Sequence, residues 1–435
     1  MNSIRAAARS PESRNFSWLM SEYVIRFPVT LVATAVVARY LGPEDFASFG
    51  LLHAFVIGVL PLTNAGLSNL VSREVINADR PTNVVLGTAA MIRFYASLLG
   101  VPVLWAMAAF SGSGYPGLVL FSVIAGVLNA ATPLAVIDYY FQSQLQAKYA
   151  VTSRLIALLG VSFTQIGLAI AGAPPVAFLA TLALQQPLTA VMYAIVYRST
   201  ARHKIGRWRV DKAYMRELAS SSVKVVATNV TETLASRIPL LVLAQFGGPA
   251  ATGVLTAVMR PVSMLNAFPN AVGSTLLPRM ARARRGKGRF GYTEVIAFGG
   301  VGLALVGAAV SATLALGAPI FVSVMFGDEY SNGVMAFRIV GLMLFFKFVR
   351  AAMSKWIVLE GEFNWGLRTH LFALATAGIM SPAIIASPTA GMTASSLVIQ
   401  AASASVLALL ITSAGRRYVS DVRDGCRKLL ARRRS

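Results

Sequence analysis

Apolar segments of about 20 residues recur along the whole chain and are separated by short polar breaks. A helix of that length crosses the hydrocarbon core of a bilayer, and only helices and closed barrels satisfy their backbone groups there. Charged residues make up 13% of the chain, about half the share found in soluble domains. The sequence therefore predicts an all-α, polytopic membrane protein.

The apolar windows predict twelve spans, with approximate bounds 16–38, 46–70, 84–110, 117–141, 153–171, 175–197, 218–245, 252–276, 293–317, 333–353, 367–386 and 392–413. Lys and Arg cluster in the breaks after even-numbered spans and are almost absent from the others. By the positive-inside rule, both termini are predicted to be cytoplasmic. The net charge of +22 therefore lies in loops of a membrane protein, and no nucleic-acid partner is expected.

A pattern in the first two spans recurs 206 residues later, which predicts an internal duplication. Six spans separate the two copies, so both enter the membrane in the same orientation. The predicted domains are an N-terminal lobe 1–197, a basic cytoplasmic linker 198–217, a C-terminal lobe 218–413 and a basic cytoplasmic tail 414–435. The identical pairs are Ala38 and Ala244, Gly42 and Gly248, Pro43 and Pro249, Asn64 and Asn270, Ala65 and Ala271, Ser68 and Ser274, Leu70 and Leu276, and Arg73 and Arg279.

Three short motifs carry a family resemblance: the Gly-Pro turn within Ala38–Ala47, the stretch Phe326–Tyr330, and Phe141 with Gln142. At these positions the chain resembles the Wzx-type polysaccharide flippases, which share a superfamily with the MATE drug exporters and the lipid II flippase. The resemblance covers essentially the whole chain. It implies two six-helix lobes that carry a lipid-linked oligosaccharide across the bacterial inner membrane by alternating access.

The resemblance therefore implies that the substrate is a polyprenyl-diphosphate-linked oligosaccharide used for a surface polysaccharide, such as an O-antigen or exopolysaccharide. Membrane lipid, a polysaccharide polymerase and other assembly proteins are the expected partners. A MATE-like drug or metabolite exporter and a lipid II flippase remain alternatives. A membrane enzyme is not expected, because the predicted external loops are only a few residues long.

Several charged side chains lie within predicted spans, where each costs about 2.5–3.5 kcal/mol unless it meets a partner or water. Arginine suits phosphate because its planar guanidinium donates in a fork. Glu22 stands four residues before Arg26. The two side chains can therefore form an ion pair that fixes helix packing, which is the alternative to phosphate binding by Arg26. The predicted diphosphate-binding cations of a cavity between the lobes are Arg26, Arg237, Arg260 and Lys347.

Acidic residues within the predicted spans offer an alternative chemistry, ion-coupled antiport. Glu22, Asp138 and Glu232 are alternative sites for taking up H⁺ or Na⁺ in antiport. No other cofactor is expected: Cys426 is the only cysteine, and no phosphate-binding loop of the Gly-x-x-x-x-Gly-Lys-Ser/Thr type occurs. The membrane potential itself favours outward movement of a diphosphate, by about 2.3 kcal/mol per charge at 100 mV.

The remaining charged and polar residues are not expected to bind the diphosphate or a coupling ion. Arg93 and Arg350 are expected near helix ends, with side chains that reach the interface. Residues 416–434 of the tail space apolar residues as an amphipathic helix does, which fits binding to anionic lipid or a simple orientation signal. The sequence leaves open whether the amides in the spans form interhelical hydrogen bonds or contact sugar hydroxyls: Asn129, Gln165, Gln185, Gln186, Asn229, Asn266, Asn270 and Gln400.

Overall fold

The structure, a computed structural model, describes residues 11–112, 114–200, 205–286, 290–360 and 364–434. These ranges are predominantly helical and contain no β-strand. Helices satisfy every backbone donor and acceptor within their own segment, as lipid requires. The predicted all-α class is confirmed.

The chain forms two compact units, Met1–Thr233 and Leu234–Ser435. The helices of the first unit are α1 (Pro11–Thr63), α2 (Leu67–Asn77), α3 (Thr82–Phe110), α4 (Leu118–Ala130), α5 (Ile137–Ser143), α6 (Ala147–Ile170), α7 (Pro175–Thr200) and the beginning of α8 (Lys212–Leu265). A single 3₁₀ turn, Pro133–Val136, joins α4 to α5.

The boundary between the units falls within α8, so the part of α8 after Thr233 belongs to the second unit. Its other helices are α9 (Ala267–Arg284), α10 (Tyr292–Phe326), α11 (Gly333–Glu360), α12 (Asn364–Ala386), α13 (Ala390–Ala402), α14 (Ala408–Ile411) and α15 (Ser413–Arg434). A π-helical segment, Ser403–Leu407, joins α13 to α14. The predicted domain boundaries remain a prediction.

The described residues contain eight helices that are long and apolar enough to span a membrane, or nine if α4 and α5, bent by 58°, form one span. Two of the eight, Ser17–Thr63 and Val225–Leu265, are 47 and 41 residues long, about twice what one span requires. Each is broken at a glycine and accommodates two predicted spans. The bent pair α4 and α5 accounts for the fourth predicted span, and the more polar α11 accounts for the tenth. Each of the twelve predicted spans therefore corresponds to a helix or to part of one.

The two glycine breaks are the structural expression of the duplication. Gly42 interrupts α1 with φ 68° and ψ 173°, and Gly248 interrupts α8 with φ 76° and ψ 176°. Only glycine adopts this backbone region readily, because a Cβ clashes there. A proline follows each glycine, Pro43 and Pro249, and its fixed φ suits the first turn of the resumed helix. Both copies thus turn by the same local conformation.

This equivalence predicts that Gly248→Ala lowers stability through backbone strain alone. Apart from the adjoining residues and nearby helix backbone, no atom of the described residues lies within 4 Å of a Cβ placed at Gly248, so we expect a loss of about 1–3 kcal/mol from backbone strain. Gly317→Ala is the matched control, since Gly317 lies inside α10 with equally open space and alanine favours a helix by about 1 kcal/mol. Thermal unfolding in detergent measures both; equal melting temperatures for the two variants would contradict the assignment.

The segment between α7 and α8 is held against the beginning of α3. The Arg209 amide donates to the Asn83 carbonyl (3.2 Å), and Asn83 Nδ2 donates to the Arg207 carbonyl (3.2 Å). A Cβ at Gly87 would lie 2.4 Å from the Arg209 carbonyl oxygen, so this close approach requires glycine. The basic segment is therefore packed on the first unit by backbone contacts.

The basic tail forms α15, whose buried face packs on protein. A Cβ at Gly425 would lie 2.0 Å from the backbone oxygen of Thr293 in α10. Trp356 of α11 donates from Nε1 to Asp421 Oδ2 (3.0 Å). The predicted helix is present, and its inner face contacts α10 and α11. The exposed basic residues on α15 include Arg416, Arg417, Arg423, Arg427 and Lys428.

Candidate functional site

The first unit encloses a cavity of about 200 Å³ whose walls are charged and polar although the surrounding helices are apolar. Its lining comes from α1 and the residue that follows it, from α3, α5, α6 and α7, and from the 3₁₀ turn before α5. The polar side chains that line it are Arg26, Asn64, Arg93, Asp138, Tyr139, Arg154, Gln185, Gln186, Thr189 and Tyr193. Charged groups that are expensive in lipid are thus gathered around one wettable space.

Arg154 is the centre of the charged wall. Its Nε and Nη2 atoms donate to the two carboxylate oxygens of Glu22, at 2.9 and 2.6 Å. Its Nη1 atom donates to Asp138 Oδ1 (2.7 Å) and to the Tyr193 hydroxyl (3.1 Å). A forked pair of this kind combines charge with fixed geometry. One guanidinium therefore fixes α1, α5, α6 and α7 to one another.

Glu22 was expected to pair with Arg26, and that pair is present but secondary. Arg26 Nη1 lies 3.5 Å from Glu22 Oε1, and 42% of the Arg26 side chain is exposed. The principal partner is Arg154, which stands at the start of the predicted span 153–171, beside a basic cytoplasmic break. Helix α6 begins at Ala147, so Arg154 lies two turns inside it. The sequence signal that was missed is the helix start, which lies before the apolar window begins.

Asp138 lies within the cluster, and its second carboxylate oxygen is also satisfied. Asp138 Oδ2 accepts a hydrogen bond from Gln142 Nε2 at 2.9 Å. Gln142 belongs to one of the motifs that carry the family resemblance, and its amide holds the carboxylate toward Arg154. Both acids are thereby fixed in orientation.

Arg93 is expected near a helix end, but the structure buries it in the interior of α3. It lies mid-way along α3 with 5% of its surface exposed. Its Nη1 atom donates to the Tyr139 hydroxyl (3.0 Å), and its Nε has no hydrogen-bond partner among the described residues. No ion pair of Arg93 occurs in the described part of the chain. Arg93 therefore places an uncompensated charge at the cavity wall.

The remaining predicted cations belong to the second unit. Arg260 is buried in α8, with 7% of its surface exposed, and Arg237 and Lys347 are partly buried in α8 and α11. Glu232 is exposed on α8 and does not line the first-unit cavity. Of the predicted site residues, the structure brings together Glu22, Arg26 and Asp138. A joint site of Arg26 with Arg237, Arg260 and Lys347 remains a prediction.

Arg350, also expected near an interface, is fixed by polar contacts in the second unit. Its Nη2 atom lies 3.3 Å from Thr369 Oγ1 and 3.0 Å from His370 Nε2.

Gln165, one of the unassigned amides, donates from Nε2 to Thr181 Oγ1 (2.9 Å) and joins α6 to α7. Gln185 and Gln186 line the cavity instead. The side chain of Asn270 lies outside the described residues.

The charged cluster predicts strong coupling between Arg154 and Glu22. Arg154→Gln leaves two largely buried carboxylates without their cation, and we expect a loss of about 3–5 kcal/mol in stability. Glu22→Gln in that background should recover part of the loss, since the two side chains form one network. Thermal unfolding of both single variants and the double variant measures the coupling. Arg198→Gln, at an exposed position on α7, is the control; additive effects of the two cavity substitutions would contradict the network.

The apolar helices and the charged cavity among them define a multi-pass membrane protein. A family model described as "Polysaccharide biosynthesis protein" matches residues 13–284, more than half of the chain. The chain belongs to this polysaccharide biosynthesis protein family. A comparison with curated protein sequences gave no significant match.

Solved structures share the fold at low sequence identity. The lipid II flippase MurJ in an inward closed conformation is 10% identical, with a TM-score of 0.70 over 96% of this chain and 91% of that chain. A multidrug resistance MATE transporter of the MOP superfamily, inward-facing, is 16% identical, with a TM-score of 0.63 over 92% and 99%. A MOP superfamily transporter from Pyrococcus furiosus is 15% identical, with a TM-score of 0.61 over 95% and 97%. The predicted MATE-like fold is confirmed.

Proposed function

We propose that the protein is a Wzx-type flippase that moves a polyprenyl-diphosphate-linked oligosaccharide from the cytoplasmic to the outer leaflet of the bacterial inner membrane. The observation that carries the proposal is the charged, amide-lined cavity inside an apolar helical unit. Lipid tails need no such cavity, whereas a hydrophilic head group needs one to cross the hydrocarbon core. Membership of a polysaccharide biosynthesis family supports a glycan as that head group.

In this proposal the diphosphate binds Arg26 of the first unit and Arg237, Arg260 and Lys347 of the second, in alternating access between the lobes. Fixed arginines leave the negative charge on the moving substrate, so the membrane potential assists export by about 2.3 kcal/mol per charge at 100 mV. Glu22, Asp138 or Glu232 takes up H⁺ or Na⁺ if transport is ion-coupled. Both termini face the cytoplasm, and the partners are membrane lipid, a polymerase and other assembly proteins.

The chemistry proposed is transport, with no bond made or broken in the substrate. The relatives in fold bear the names of flippases and transporters, which supports this reading over a membrane enzyme. Lipid II flippase activity is the second candidate, favoured by the likeness to MurJ over 96% of the chain. A gene that is essential in the absence of any surface polymer would favour that candidate.

A deletion strain tests the proposed function. We expect loss of the surface polysaccharide and accumulation of the lipid-linked repeat, measured by mass spectrometry of extracted membrane lipids. The accumulated lipid should face the cytoplasm, and resistance to an external glycosidase in intact spheroplasts measures this. Unchanged polymer and lipid pools would contradict the proposal and favour a drug or metabolite exporter.

Replacing Arg26 tests the cationic site in the same strain. Arg26→Ala should abolish polymer export while leaving membrane insertion intact, because the contact of its half-exposed side chain within the described residues is a long ion pair with Glu22. Surface polymer and protein level in membranes are the measurements, and Arg198→Ala is the matched control. Normal polymer at normal protein level would remove Arg26 from the site.

A further inference from the structure

The charges around the first-unit cavity do not cancel, and one residue accounts for the excess. Glu22 and Asp138 are balanced by Arg154 and Arg26, which all belong to one ion-pair cluster. Arg93 lines the same cavity outside that cluster. The five charges therefore sum to one positive charge, which Arg93 contributes. A buried charge of this kind is stabilised by an anion that enters the cavity.

Arg93 and Tyr139 present donors that the protein itself does not use. Arg93 gives one donor to the Tyr139 oxygen and keeps Nε without a partner among the described residues. The Tyr139 hydroxyl accepts that bond and still has its own proton to donate. Both side chains are at least nine-tenths buried, and both line the cavity. The Arg93 guanidinium and the Tyr139 hydroxyl together match the two acceptor oxygens of a carboxylate.

The cavity is also lined by uncharged side chains that form hydrogen bonds. Asn64, Gln185, Gln186 and Thr189 line the same space, and each side chain both donates and accepts, as sugar hydroxyls do. The volume of about 200 Å³ is below the roughly 300–1,000 Å³ of pockets for drug-sized ligands. The cavity is thus scaled to one sugar residue rather than to a whole oligosaccharide.

From these observations we infer that the first-unit cavity binds one carboxylate-bearing sugar residue of the transported glycan, with Arg93 and Tyr139 on the carboxylate and the amides on the hydroxyls. The inference rests on the proposed flippase function. A diphosphate fits Arg93 and Tyr139 less well, because two negative charges against one excess positive charge leave a buried charge unbalanced. The substrate therefore carries a second anionic group, bound by Arg93 and Tyr139, in addition to the diphosphate proposed to bind Arg26.

Sugar analysis of the lipid that accumulates in the deletion strain is the first test. Activating the carboxyl groups with a carbodiimide and reducing them with borodeuteride before hydrolysis should convert one residue per repeat into a deuterium-labelled neutral sugar. Accumulated lipid without any carboxylated sugar overturns this inference and leaves the flippase function standing. Absence of accumulated lipid overturns the flippase function itself, so the two failures are distinguishable.

Binding to the purified full-length protein in nanodiscs tests the residues. Saturation-transfer NMR should show that D-glucuronate binds at least about tenfold more tightly than D-glucose, since a charge-assisted pair is added. Arg93→Gln should abolish that preference and Tyr139→Phe should reduce it, while Arg198→Gln should leave it unchanged. Arg93→Lys keeps the positive charge but loses the forked guanidinium, so it should retain part of the preference for glucuronate. This variant therefore distinguishes loss of the charge from a folding defect in Arg93→Gln.

The opposing results are equally definite. Equal binding of glucuronate and glucose by the wild-type protein, or no saturable binding of glucuronate, overturns the inference. A glucuronate preference that survives Arg93→Gln places the carboxylate elsewhere and also overturns it. Inorganic pyrophosphate serves as a competitor: if it displaces glucuronate and itself binds through Arg93 more tightly, the cavity is the diphosphate site.

Discussion

Charges placed in a membrane-spanning helix must be compensated by neighbouring helices or by water, and in the first unit Arg154 provides most of that compensation. Its guanidinium bonds both oxygens of Glu22 and one oxygen of Asp138. Helices from opposite ends of the unit's sequence meet at this one side chain. Hydrophobic packing alone sets no unique helix register in lipid, where tails are as apolar as leucine. A multiply bonded arginine does set it, because its donors fit only one arrangement.

The hydrogen bonds of the two arginines distinguish one that stabilises the fold, Arg154, from one that can bind a ligand, Arg93. Arg154 uses four hydrogen bonds to protein groups, so it has little capacity to bind a substrate. Arg93 has the Tyr139 hydroxyl and an unused Nε. Two arginines at one cavity wall thus have different roles, which follow from whether an acid lies within reach. Residue type alone does not distinguish them.

The duplication has kept the turns and changed the charges. Gly42 and Gly248 retain nearly identical backbone angles, because no other residue adopts that conformation without strain. At the same offset of 206 residues, Glu22 corresponds to Thr228 and Arg26 to Glu232. Conformational constraints are local and tolerate few replacements. A charge network depends on partners, and it changes when any partner changes.

The sequence by itself determined the helical class, the spans and the glycine turns, because each depends on residues adjacent in the chain: apolar runs, loop charges and one backbone conformation. It also identified Glu22, Arg26 and Asp138 as unusual, since charge in an apolar run is visible without a structure. It did not identify Arg154 or Arg93 as members of the site. The partners of Arg154 lie 132 and 16 residues away in sequence, and that of Arg93 lies 46 away. Only the tertiary structure, which decides which helix faces meet, brought those side chains within bonding distance and left one of them with a donor to spare.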